Sequence, residues 1–176
     1  MKKTFIIRLL ILCGLALLCY SCKEKEQCGE IKKPKDLKPI DWENYNDVYT
    51  VYWNFRTNDC SKAGPTEKNV KVFGWIFQGM GEGYGPPVNP AKFALISNEE
   101  DIFWYNFSTR GGTGLYVIAN HDKDLIDSLK TKFTENDITK KCYVSGTLEF
   151  YELPTNDCCS TMPIIRIYNV DDIYFE

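Results

Sequence analysis

From residue 41 onward, apolar and polar positions alternate over most of the chain, a period-two pattern that predicts strands. Asp47–Phe55 is rich in β-branched and aromatic residues and is expected to be a strand, with Tyr49, Val51, Trp53 and Phe55 on one face. Asn69–Gln78 is expected to be a second strand. In it Val70, Val72, Gly74 and Ile76 share one face, while Phe73, Trp75 and Phe77 share the other. The stretch 79–90 holds four glycines and three prolines and reads as a loop. Ala91–Ser97 is a third expected strand, with Ile102–Ser108 as its continuation or hairpin partner. Gly111-Gly112-Thr113-Gly114 interrupts the chain before another apolar run, Leu115–Ala119.

Then the period changes. Leu125, Leu129 and Phe133 lie four apart, with Ile126 beside them, and predict an amphipathic helix over Asp122–Phe133. Asn120 or Asp122 is placed to cap it. Asp124 near its start and Lys130 and Lys132 near its end suit the helix dipole. Lys141–Leu153 returns to alternation, with Cys142, Val144, Leu148 and Phe150 on one face. Tyr143, Ser145, Thr147, Glu149 and Tyr151 take the other. Pro163–Val170, with a tail through Phe175, is the last expected strand.

This order, β-β-β-α-β-β with one helix and an extra N-terminal strand, resembles the OB-fold over about residues 69–176. The resemblance implies a mainly β, five-stranded barrel whose helix lies between strands three and four. Gly74 and Gly146 fall mid-strand, where coiled barrel strands need bends. A β-sandwich or a lipocalin-like half barrel is the alternative. The resemblance also implies a ligand face over strands two and three, flanked by the loops after strands one and four. On this basis Phe73, Trp75, Phe77, Tyr84, Tyr143 and Tyr151 are the candidate binding residues. The opposing expectation is that the 47–55 strand lies over these aromatics and makes them a second small core.

The start of the chain carries its address. Lys2 and Lys3 precede an apolar run that ends at Leu18, too short to span a bilayer and suited to a removed signal peptide over 1–21. Leu18-Cys19-Tyr20-Ser21-Cys22 resembles a bacterial lipobox, with Cys22 as the lipid attachment site. Cys19 departs from the usual Leu of that pattern. The run Lys23-Glu24-Lys25-Glu26-Gln27 resembles the export signal of Bacteroides-type surface lipoproteins, and the chain as a whole resembles a small member of that group. Acyl chains would hold the protein to a membrane, since each buried CH₂ contributes about 0.8 kcal/mol and one chain alone is marginal. Residues 22–40 are rich in Lys and Glu, with Pro34 and Pro39, and read as a flexible lipidated linker before a single domain over 41–176. The expected location is the cell envelope, on the outer membrane, facing the periplasm or the outside.

Charge and cysteine usage narrow the chemistry. The chain has 21 Lys+Arg against 24 Asp+Glu, and removal of 1–21 takes away only cations, so nucleic acid is a poor partner. One His leaves little scope for triad or imidazole–metal chemistry. No cofactor or catalytic residue is expected, and the partners are the membrane and a protein, peptide or glycan ligand. Five cysteines follow Cys22, an odd count. Antiparallel pairing of barrel strands one and four would bring Cys60 towards Cys158 and Cys159, so a disulfide between Cys60 and one of these two is expected. The rival uses of the three are a soft-metal site or a thiol switch. Cys142, on an apolar strand face, reads as a buried inert thiol. The leading expectation is a non-catalytic binding module; a structural subunit of an envelope complex is another.

Overall fold

The computed structural model describes residues 26–27, 29–77, 90–101, 113–120, 122–133, 139–153 and 158–176. Cys22, Tyr84, His121, most of the 79–90 loop and the expected strand 102–108 lie outside them, as do the side chains of Cys158 and Cys159. In chain order the elements are β1 (Glu26–Gln27), β2 (Asn46–Asp47), α1 (Val48–Phe55), β3 (Gly64–Ile76), β4 (Lys92–Ile96) and β5 (Gly114–Ala119). They continue with α2 (Lys123–Lys132), β6 (Lys141–Glu152), β7 (Cys158–Cys159), β8 (Thr161–Ile167) and β9 (Ile173–Phe175). Short 3₁₀ turns lie at Cys60–Lys62, Glu99–Asp101 and Val170–Asp172.

Five strands close a ring in the order β3-β4-β5-β8-β6, with β6 pairing back onto β3. Every pairing in the ring is antiparallel except β5 with β8, which is parallel. The fold is mainly β, a closed five-stranded barrel of OB-like topology with α2 between its third and fourth strands. Two short strands bond outside the ring: β2 runs parallel to β3, and β9 runs antiparallel to β6. Inward residues fill the barrel: Val70, Val72 and Ile76 from β3, Leu95 from β4, Leu115 and Val117 from β5, Val144 and Leu148 from β6, Ile165 and Ile167 from β8. All are buried, as the alternation requires.

The long strands β3 and β6 each change partner midway along one edge. β3 pairs β2 at Val72–Phe73 and β4 at Trp75–Ile76; Gly74 sits between. β6 pairs β9 over Cys142–Val144 and β8 from Thr147 onward; Gly146 sits near that switch. The switch brings backbone against backbone. A Cβ on Gly74 would lie 2.6 Å from the Ile96 carbonyl oxygen and 2.7 Å from Val48 Cγ2. One on Gly146 would lie 2.5 Å from the Arg166 carbonyl oxygen and 2.7 Å from Ile165 Cγ2. Glycine is there because nothing larger fits.

The expected strand over Asp47–Phe55 is a strand for Asp47 alone and a helix from Val48 on, so the described residues contain two α-helices rather than one. Asp47 caps α1: its Oδ1 accepts the Thr50 N–H at 2.7 Å and its Oδ2 the Thr50 hydroxyl at 2.8 Å. Val48 and Val51, three apart, are fully buried, and Phe55 completes the stripe at half burial. A short apolar run satisfies both periods, and the cap together with the barrel core decides in favour of the helix. In α2, Asp122 is the cap, accepting from the N–H groups of Asp124 and Leu125. Leu125 and Leu129 are buried.

Residues 29–45 run beside α1. Lys33 Nζ donates to the Asn54 carbonyl at 2.8 Å, and Asn54 Nδ2 donates to the Lys38 carbonyl at 2.8 Å. Ile40 packs against the core, and the Trp42 ring lies 5.9 Å from that of Phe55.

Replacing Gly146 with Ala should lower stability by about 1–3 kcal/mol through overpacking. Truncating the buried Leu148 to Ala should cost about 2–5 kcal/mol. Ser145→Ala, next to the close approach but not in it, should stay within about 0.5 kcal/mol. Urea unfolding of the three variants checks this, and a Gly146→Ala protein as stable as the parent would contradict the close-approach account.

Candidate functional site

The outward side chains of the barrel form two separate surfaces. The first surrounds β3, β6 and β9. Tyr143 and Tyr174 stack with centroids 4.6 Å apart and planes 2° apart. Tyr45 meets both edge-on, at 5.2 and 5.8 Å. Phe73 lies 5.9 Å from Tyr143. The Lys141 ammonium sits 4.4 Å from the Phe73 centroid, 5.6 Å from Trp75 and 5.8 Å from Tyr143, within cation–π range. Phe73, Trp75 and Phe77 are all half-buried. Tyr45 and Tyr174 flank Tyr143, and α1 instead turns Val48 and Val51 into the barrel core. The strand proposed as a private cover for these rings is therefore absent.

Partial burial raises the Tyr45 and Tyr143 hydroxyls above the ordinary tyrosine value of 10.0. Neighbouring Tyr174 adds to the first, and Glu176, whose Oε2 accepts the Tyr143 O–H at 3.0 Å, adds to the second.

The second surface spans β4, β5, β8 and β6, and the pairing register arranges it in two rows. Ala94, Tyr116, Ile164 and Glu149 lie side by side in one row. Lys92, Ile118, Arg166 and Thr147 make the next. A cavity of about 470 Å³ opens here, lined by Ile118, Ile164, Glu149, Tyr151 and Arg166 among others. Tyr151 is 55 % exposed and Tyr116 is 40 % exposed. Lys92 Nζ lies 4.6 Å from the Tyr116 centroid. Arg166 and Glu149 bond across adjacent strands through two parallel contacts, Nε to Oε1 at 2.6 Å and Nη2 to Oε2 at 2.9 Å. Glu149, as hydrogen-bond acceptor, raises the Arg166 guanidinium above its ordinary range.

The candidate aromatics are thus divided. Phe73, Trp75 and Tyr143 meet in the first surface, while Tyr151 belongs to the second. Phe77 continues past β3, its N–H donating to the Ala94 carbonyl at 2.9 Å. Tyr116, Lys92, Ile118, Ile164 and Arg166 were not among the sequence candidates. Alternation within Leu115–Ala119 does place Tyr116 and Ile118 opposite Leu115 and Val117. Their alignment with Ile164 and Arg166 depends on a parallel pairing between distant segments.

Cys142 is fully buried and free, and burial pushes its thiol far above the usual range. Cys60 opens the first 3₁₀ turn, with Asp59 as its cap. Among the described residues no three His, Cys, Asp or Glu side chains are grouped to hold a metal ion. No described helix is long and apolar enough to cross a membrane. No protein-family model matches the chain, and a search of curated proteins finds no match.

The raised tyrosines give the fold a pH signature at the alkaline end. Their folded values lie above the unfolded 10.0, so their contribution to stability is fully present below pH 10 and is lost as pH rises through the folded values. Phenolate absorbance should show a late-ionising group of tyrosines that Tyr143→Phe reduces. All tyrosines ionising together at the ordinary value would contradict this.

Proposed function

We propose that this protein is a lipid-anchored envelope lipoprotein, of the small Bacteroides type, that works as a non-catalytic binding module. The observation that supports a binding role is the groove on the outer face of β5, β8 and β6. Its floor is apolar, through Ile118 and Ile164, and its lining aromatic Tyr151 is open to solvent, as is Tyr116, which lies outside the cavity but beside Ile164 in the same row. A long apolar floor with exposed rings and a few fixed polar groups suits a glycan or an extended peptide, whose faces stack on tyrosine. Arg166 and Glu149 supply donors and acceptors at a set spacing. They satisfy each other, so neither is a free acid or base, which favours binding over catalysis. The net negative charge disfavours nucleic acid as the ligand.

The address rests on the sequence. Ser21-Cys22 and the charged run after it support acylation at Cys22 and export to the outer membrane.

Two measurements test the proposal. Screening the protein against glycan and peptide arrays should yield a ligand whose affinity falls about tenfold or more, about 1.4 kcal/mol, in Tyr116→Ala or Tyr151→Ala. The melting temperature of both variants should stay close to the parent's, because both rings are exposed. A ligand whose affinity neither variant alters would move the site elsewhere. Mass spectrometry of the protein from its native membrane should find an acyl adduct on the Cys22 peptide, and Cys22→Ser should release the protein from the membrane fraction.

A further inference from the structure

A second cavity, of about 420 Å³, shares no lining residue with the groove. Two chain segments wall it, Glu30 and Lys33 on one and Arg56, Thr57, Asn58 and Asp59 on the other. Hydrogen bonds fasten these segments together. Lys33 Nζ donates to the Asn54 carbonyl at 2.8 Å, and Asn58 Nδ2 donates to the Gly29 carbonyl. Thr57 is also tied to β8: its N–H donates to the Thr161 carbonyl at 3.3 Å, and its own carbonyl accepts the Thr161 N–H at 2.7 Å. The cavity is therefore held by the chain itself, before any ligand arrives.

Arg56 is the group within it that the fold leaves unused. It follows α1 directly, and its guanidinium carbon lies 5.4 Å from the Tyr52 centroid and 5.6 Å from that of Trp53. Those two rings stand at 89° to each other, so they meet the cation from two directions. Arg56 Nε is sealed from solvent without an acceptor. Among the described residues no carboxylate pairs with the guanidinium, and its terminal nitrogens Nη1 and Nη2 are not sealed. Asp59, three residues further on, is committed elsewhere: it accepts the Ser61 N–H at 3.0 Å and lies 3.9 Å from the Lys62 ammonium. A buried donor left unpaired lowers stability, so an arginine kept this way calls for an explanation other than folding. The charge around the cavity agrees. Lys33, Arg56 and Lys62 stand against Glu30 and Asp59, one positive charge in excess.

We propose that this cavity binds a small acidic sugar of the uronic type, whose carboxylate is received by Nη1 and Nη2 of Arg56. Because Nε is sealed, the guanidinium offers only this end, and its two N–H groups match the two oxygens of a planar carboxylate. The single excess charge suits a monoanion, whereas a phosphate dianion would be repelled by Glu30 and Asp59. The hydroxyl of Thr57 and the side-chain amide of Asn58 supply the neutral donors and acceptors that sugar hydroxyls require. The volume lies towards the lower end of the roughly 300–1,000 Å³ of small-molecule sites, as one sugar ring needs.

The test is calorimetric titration of the full chain at low ionic strength with glucuronate, glucose and inorganic phosphate. Glucuronate should bind one to one in the millimolar range, about tenfold or more tighter than either of the others. Arg56→Gln should weaken glucuronate binding about tenfold or more. Arg56→Lys keeps the charge but loses the paired donors, and should also weaken it by about tenfold. Its long aliphatic stem preserves the packing on Tyr52 and Trp53, so it reads the site even if the Gln variant does not fold. No saturation with glucuronate, equal affinity for glucose or phosphate, or unchanged affinity in Arg56→Lys would overturn the proposal. A loss of glucuronate binding in Tyr151→Ala and not in Arg56→Lys would put the sugar in the groove and overturn it as well.

Discussion

A five-stranded ring closes because two of its strands each serve two partners along a single edge. β3 passes from β2 to β4, and β6 passes from β9 to β8. At the switch the neighbouring backbones come so close that a methyl group would overlap a carbonyl oxygen, at Gly74 against Ile96 and at Gly146 against Arg166. The coiling that lets β6 return to β3 depends on these two missing side chains. The core depends on the closure in turn. Val72 on β3 faces Val144 on β6 across the seam, and both are completely buried only because the ring is shut.

Closure also determines what the outside can do. A barrel presents its outward residues in rows set by register, so the groove is a product of pairing rather than of any one segment. Tyr116, Ile164 and Glu149 come from three strands and meet in one row, and Arg166 reaches diagonally to Glu149 from the next. The rings around Tyr143 arise in the same way, with β9 bringing Tyr174 beside a residue thirty-one positions earlier. These rings contact one another and Lys141, whereas Tyr116 on the second surface meets Lys92.

Much of the barrel was legible in the sequence. Period-two patterning located β3, β4, β5, β6 and β8 to within a few residues, and the change of period located α2 and one of its two proposed caps. Strand order gave the OB-like topology because few ways exist to close five strands around one helix. The α1 segment was misjudged because Val48, Val51 and Phe55 fit a helical stripe as well as Tyr49, Val51 and Trp53 fit a strand face. The decisive feature, Asp47 bonding to Thr50, is a local polar contact that hydrophobic periodicity does not register. Phe73, Trp75, Tyr143 and Tyr151 alternate with buried residues along β3 and β6, as the period-two pattern has them, but which of them become neighbours depends on register between distant strands. For the same reason the groove-lining Arg166 and Ile118 escaped notice, since each looks like an ordinary strand residue until β5 and β8 are laid side by side.

The parallel pairing of β5 with β8 also bears on how the molecule assembles. Hairpin partners such as β4 and β5 can zip up as soon as both exist, but Val117 must wait for Ile165, nearly fifty positions later, and β3 must wait for β6. Interactions this remote in sequence make closure a late and comparatively slow event. Until it happens, the nascent chain has no finished interior and remains pliable, a condition under which a polypeptide can still be threaded through a narrow passage. Once Thr161–Ile167 slots between β5 and β6, the last open edges of the ring are sealed together and that pliability ends.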